Sequence, residues 1–265
     1  MSLVISKVFT YDTDAGDYIQ RVEGASGDNA ALEPATRQAI NNFVIGCKQD
    51  GIWNAIKASC ILSGARTLNG ALQPLVGTAP TNVGFVGLGT DYVRKTGLVG
   101  NGSSKTLRNA YTWTSGNYTN NHGCVFPTVL QTNDASYFEG VGTTVSSNGI
   151  VGIYRETGGA YYSDYSTHNY AGPLLTANSL VAVSRSSSSL FTGRGGSNSQ
   201  AFSQNIVSTP QAFAMSVFSR QTGASSNVLY SNARIAFYSF GESLDLALLD
   251  ARVTALITAF GVAIP

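Results

Sequence analysis

Apolar positions follow two rhythms along this chain. From Pro34 onward Ile40, Phe43, Val44 and Cys47 recur on one helical face, and Pro34 suits the first position of a helix that Asp50-Gly51 would end. A short second helix is expected from Ile52 to Lys57, with Ile52 and Ile56 one turn apart. The same spacing returns at the C-terminus, where Leu246, Leu249, Val253, Leu256, Ile257 and Phe260 oppose Asp245, Asp250, Arg252 and Thr254. There Ser243 is the expected N-cap and Gly261 the expected stop. Residues before Glu33 read as a polar arm, either a frayed terminus or a segment that orders on a partner subunit.

Between Thr67 and Val93, Pro74, Gly77, Pro80, Gly84, Gly87 and Gly89 break every candidate helix. Beyond them the period shortens. Short apolar or alternating runs lie at Leu98-Val99, Cys124 to Leu130, Tyr137-Phe138, Ile150 to Tyr154, Tyr161 to Tyr165, Leu180 to Ser184, Phe213 to Phe218 and Ala233 to Phe240. Gly, Asn and Ser clusters separate them, Gly193 to Asn198 among them, which is the pattern of an all-β sandwich or jelly roll. Around Ile235 and Phe237 the alternate residues Ala236, Tyr238 and Phe240 are apolar too, so this strand needs cover on both faces. The expected architecture is mainly β: a jelly-roll sandwich over residues 78–265 with an amphipathic C-terminal helix, preceded by an arm and helical attachment region over residues 1–77.

Composition narrows the functional classes. Lys and Arg number 16 against 15 Asp and Glu, only 12% of residues are charged, and 43% are hydrophobic, which excludes a disordered polyelectrolyte. The basic residues, such as Arg94-Lys95, Arg185 and Arg194, are dispersed rather than striped, so no nucleic-acid partner is expected. No signal-type run opens the chain and no long wholly apolar stretch suits a membrane span, so neither export nor membrane insertion is expected. Cys47, Cys60 and Cys124 lack metal-type spacing and read as buried thiols.

Catalytic signatures are missing: there is no GxSxG, HExxH or P-loop, and His122 and His168 stand apart from any zinc-type partner. Asp134, Glu139, Glu156 and Asp164 are scattered rather than paired on one strand, as a glycosidase would require, so a depolymerase ranks low and no enzymatic activity is expected. No clustered acidic loop suggests calcium, and neither metal nor cofactor is expected. Aromatic density between Tyr111 and Tyr170 is more suggestive. Trp113, Tyr161 and Tyr162, with Asp164 and His168, combine rings for a sugar face with groups for its hydroxyls, and form a candidate glycan site. Tyrosines also line ordinary strands and subunit seams, so both readings stand. Ile40, Phe43, Val44 and Trp53, in the helical region, are the candidate assembly residues.

Two stretches carry resemblances. Tyr92 to Lys105, with Gly97-Leu98-Val99-Gly100-Asn101-Gly102-Ser103 at its centre, resembles the opening strand of concanavalin A-like, LamG-type jelly rolls, and Leu180 to Arg185 and Ala233 to Leu244 resemble later elements of that family. The blocks from Thr36 to Gly77 and from Ala233 to Gly261 resemble virion proteins of tailed bacteriophages, cyanophages among them. That second resemblance implies a lectin-like structural protein of the particle, a capsid decoration or a tail fibre, made in the host cytoplasm. Its implied partners are other virion proteins, sister subunits in a homotrimer by analogy with such proteins, and host-surface polysaccharide.

Overall fold

The structure is a computed structural model that describes residues 10–27, 31–112, 118–132, 136–141, 150–156, 159–166, 170–203, 205, 214–223 and 225–265. Two mainly antiparallel sheets pack face to face as a jelly-roll β-sandwich, and helices cover the outer face of the first. The first sheet runs β14 (Asn198–Ser203), β13 (Leu190–Gly195), β12 (Val181–Arg185), β7 (Asn121–Val129), β18 (Arg234–Gly241), β1 (Ile56–Ile61) and β2 (Pro74–Val76). On β18 it also carries β5 (Gly97–Val99), which pairs with β4 (Tyr92–Val93). The second runs β11 (Tyr170–Ala171), β10 (Gly159–Ser166), β9 (Ile150–Glu156), β8 (Ser136–Val141), β15 (Ala214–Val217), β6 (Thr106–Thr112) and β3 (Thr81–Val83). Beside β8 lies β16 (Arg220–Gln221), paired in turn with β17 (Asn227–Val228).

Strand β18 behaves as its doubly apolar pattern requires. It sits between β7 and β1, and Ile235 to Tyr238 are fully buried. Phe237 faces the helices, meeting Phe43 edge-on at 5.7 Å between ring centroids. Its neighbour Tyr238 faces the second sheet, accepting a hydrogen bond from Asn109 of β6 at 3.0 Å and donating one to Cys60 Sγ at 3.2 Å.

Four helices occur among the described residues: α1 (Thr13–Ser26), α2 (Pro34–Gln49), α3 (Leu68–Ala71) and α4 (Leu246–Ala263). Pro34 opens α2 as expected, and Ile40, Phe43, Val44 and Cys47 form its inner face. Three expectations are corrected here. The segment before Glu33 contains α1, whose Ala15, Tyr18, Ile19 and Val22 are buried, so it is part of the fold rather than only an arm. The second short helix is a single 3-10 turn, Trp53–Ala55, because Ile56, Ala58 and Cys60 continue at strand period into β1. At the C-terminus Asp245, not Ser243, caps α4 by accepting from the Ala247 and Leu248 amides, and the helix passes Gly261 to end at Ala263.

The division at residue 77 is corrected as well. Strands β1 and β2 belong to the first sheet, β1 directly beside β18, and one hydrophobic core joins residues from Ala15 to Ile264. Ile40, Phe43 and Val44 are spent inside that core, at no more than 3% exposure, and present no assembly surface. By length and composition α4 could cross a membrane. Here its inner face packs on the sandwich, while Asp250 and Arg252 engage in ion pairs.

Candidate functional site

Helix α2 ends in a Schellman turn, and that turn builds the most suggestive surface feature. Gly51 adopts φ 73°, Ile52 N donates to Cys47 O at 3.0 Å, and Gly51 N donates to Lys48 O at 3.1 Å. Ile52 and Cys47 are both buried, which fixes the exit direction and delivers Trp53 to the surface one residue later. Helix α1 approaches the same corner with its N-terminus. Asp12 caps it by accepting from Asp14 N at 3.0 Å, and Asp12 N donates to Asn41 of α2 at 2.7 Å. Carboxylates at the start of one helix thus meet a lysine in the last turn of another, where both helix dipoles favour them.

Lys48 Nζ lies 2.6 Å from Asp12 Oδ1 and 2.6 Å from Asp14 Oδ2. It also stands 5.7 Å from the centre of the Trp53 ring, within cation–π reach. The hydrogen bond from Lys48 holds Asp12 below its usual carboxylate range, and the two carboxylates raise Lys48. Trp53 is half-buried against the core, and its ring borders an open recess of about 380 Å³ together with Asp14, Lys48, Gly51 and Asn54. Asn54 is exposed and offers both a donor and an acceptor. The corner therefore combines an aromatic surface with hydrogen-bonding groups of both kinds.

A second cleft of about 360 Å³ runs between β12, β13, β14 and the start of α4, lined by Ser184, Ser186, Thr192, Ser199, Ser243 and Asp245. It has hydroxyls but no aromatic ring. Asp245 there is committed to capping α4, and Ser184 to both the carbonyl and the amide of Leu244.

The glycan site expected from sequence is not assembled among the described side chains. Trp113 and His168 lie outside the described residues, and Tyr161 and Asp164 are described on β10 by their backbone alone. Tyr162 is fully buried, its hydroxyl donating to Pro173 O at 3.2 Å, so it belongs to the core and not to a binding surface. Its ring lies against Gly172 and Gly193, where an added Cβ would fall 2.1 Å and 3.1 Å from ring atoms. Part of the glycine cluster read as a turn is thus strand β13, kept bare to seat an aromatic ring.

Other singled-out residues have structural duties. Cys47, Cys60 and Cys124 are free and buried, and burial pushes the Cys47 and Cys60 thiols up to about 12. His122 is fully buried, with its ring nitrogens 2.6 Å from Glu242 O and 2.8 Å from Ser239 Oγ. Among the former carboxylate candidates, Glu139 is sealed between the sheets and Asp134 lies outside the described residues. No group of three or more His, Cys, Asp or Glu residues suited to a metal occurs among the described residues. Sequence reading placed Trp53 in assembly. The signal that could have redirected it is local: a large ring between the helix-ending Gly51 and the polar Asn54 sits where burial is hardest to complete.

No family model and no curated protein sequence matches the chain. Solved structures do. A GH54 α-L-arabinofuranosidase is similar over 60% of this chain and 40% of its own, at 12% identity and TM-score 0.41. Domain 4 of a GH43 extracellular arabinanase from Geobacillus stearothermophilus is similar over 67% and 82%, at 14% identity and TM-score 0.41. A Trypanosoma rangeli sialidase mutant is similar over 83% and 39%, at 10% identity and TM-score 0.47. The matches thus span about 40% of the arabinofuranosidase and sialidase chains. At such identities the likeness concerns fold. Glycoside hydrolases stand among the structures this chain resembles, so the expectation of a protein without enzymatic activity is not retained, and the likeness itself assigns no activity to the chain.

Proposed function

We propose that this chain is a carbohydrate-recognition module whose stacking platform is Trp53. The observation that carries the reading is the recess itself: a half-buried indole at a solvent-open corner, with Asp14, Lys48 and Asn54 around it. A sugar ring has apolar C–H faces and a belt of hydroxyls, so it needs a flat ring surface plus both donors and acceptors. The second cleft supplies hydroxyls and the aliphatic Leu244 and Leu246 but no ring. The test is a glycan array probed with the whole chain, followed by titration of the best ligand. Trp53→Ala should weaken binding by about tenfold or more, because it removes buried area and stacking together. Equal binding by the variant would remove Trp53 from the site.

Displayed on a phage particle, the setting implied by the resemblance of Thr36–Gly77 and Ala233–Gly261 to virion proteins, such a module would hold host-surface polysaccharide. Its copy number in intact particles tests that placement separately. Hundreds of copies would favour a capsid decoration and a few tens a tail fibre, while absence from particles would end the virion reading.

A further inference from the structure

We infer that the Trp53 recess selects uncharged sugars and turns away acidic ones. This rests on the carbohydrate reading above and adds the chemical class of the ligand. One carboxylate, Asp14, and one ammonium, Lys48, line the recess, and Asp12 pairs with the same ammonium from outside the lining, so these three groups sum formally to 1 − 2 = −1. Lys48 is the only cation among the described residues that line the recess. An ammonium has three donors, and two of these are directed at Asp12 and Asp14. What remains for a ligand is one N–H, enough for a hydroxyl or ring oxygen but not for neutralising a carboxylate.

Asp14 is the group that decides. Its side chain is 49% exposed, against 21% for Asp12, so it is the carboxylate a ligand meets. A carboxylate only accepts, which suits a sugar hydroxyl as donor and repels a uronate or sialate carboxyl. Asn54 adds an uncharged donor and acceptor and leaves the balance unchanged. An acidic sugar that reached the remaining N–H of Lys48 would have to do so beside two aspartates that already neutralise it, each at 2.6 Å.

The experiment uses the whole chain and matched pairs of probes: lactose with 3′-sialyllactose, and galactobiose with digalacturonate. Each is titrated by calorimetry at low salt and again at about 1 M salt, where the screening length falls to about 3 Å. A neutral member should bind through Trp53, and its acidic partner should bind about tenfold more weakly or worse, a gap of about 1.4 kcal/mol. Asp14→Asn and high salt should each narrow that gap. Acidic partners that bind as well as neutral ones, with Trp53 still required, would overturn the selectivity and leave the carbohydrate reading standing. A gap that neither Asp14→Asn nor salt changes would overturn its electrostatic basis. If no sugar on the array or in the pairs binds, or binding ignores Trp53, the carbohydrate reading itself falls. Because Trp53→Ala could disturb the core, Trp53→Phe with an unchanged circular dichroism spectrum serves as the second variant.

Discussion

The two faces of the first sheet treat buried charge in opposite ways. On the helix-facing side Arg194 of β13 meets Asp250 of α4 through two hydrogen bonds, at 3.0 and 2.7 Å, and Asp250 also accepts from Leu180 N at 2.9 Å. His122 on the same side keeps partners at both ring nitrogens. On the side facing the second sheet Glu139 of β8 is fully buried, and neither carboxyl oxygen has a hydrogen-bond partner among the described residues. It lies so close to β7 that a Cβ added to Gly123 would come 2.6 Å from its Oε1. Burial raises its carboxyl well above the usual range, which keeps it neutral. For these two carboxylates the difference is the partner: α4 brings Asp250 to the Arg194 guanidinium, whereas no described residue brings a hydrogen-bond partner to Glu139.

The largest expected break in that contrast is Asp250→Ala. It strands the Arg194 guanidinium in a nearly closed site and should cost about 3–5 kcal/mol in denaturant unfolding. A loss below about 1 kcal/mol would mean that water reaches the pair and behaves as it does at exposed salt bridges.

Glu139 predicts the reverse sign. Glu139→Leu removes an unpartnered polar group of comparable volume and should raise stability at neutral pH by about 1–3 kcal/mol. The pH dependence follows from the direction of its shift. The folded chain keeps its proton while the unfolded one loses it near pH 4.5, so this contribution is complete below that pH and fades as pH rises. The variant should lack that decline. Stability that is flat from pH 5 to 8 in the parent would show that Glu139 has found a partner.

His122 titrates in the other direction. Burial lowers it to about 4, so its contribution is present above the unfolded value of 6.5 and is lost as pH falls through 4. His122→Gln should flatten the acid limb between pH 6.5 and 4, and an unchanged limb would assign acid sensitivity to carboxylates. One of these is Glu33, held down to about 2 chiefly by its hydrogen bonds to Arg94, and its contribution is lost only as pH falls from 4.5 through 2. The smallest effect belongs to the outer surface of the helical layer. Arg252 pairs with Asp50 at 2.7 Å but is 36% exposed, so Arg252→Ala should cost no more than about 1 kcal/mol. A larger loss would point to its packing across Gly46.

Much of the fold was legible because its signals are local. Strands such as β7, β12 and β18 carry runs long enough to show their period, and α2 shows four apolar residues on one face behind a favourable Pro34. Helix α1 was not legible: Asp14, Asp17, Gln20, Arg21 and Glu23 dominate it, and its buried stripe of Ala15, Tyr18, Ile19 and Val22 is narrow. Strand β13 was hidden by its glycines, which look like a turn until the Tyr162 ring is placed on them.

The candidate site shows where that division lies. Sequence alone determined the mainly β sandwich, the α2 helix and its end at Gly51, because periodicity and turn chemistry act within a few residues. Only the tertiary structure decided that Tyr162 is core while Trp53 is accessible, and that Asp12 and Asp14 reach Lys48 from another helix. Exposure and charge pairing depend on which distant segment arrives to cover a residue, and for Lys48 that partner lies 36 residues away from it in the case of Asp12.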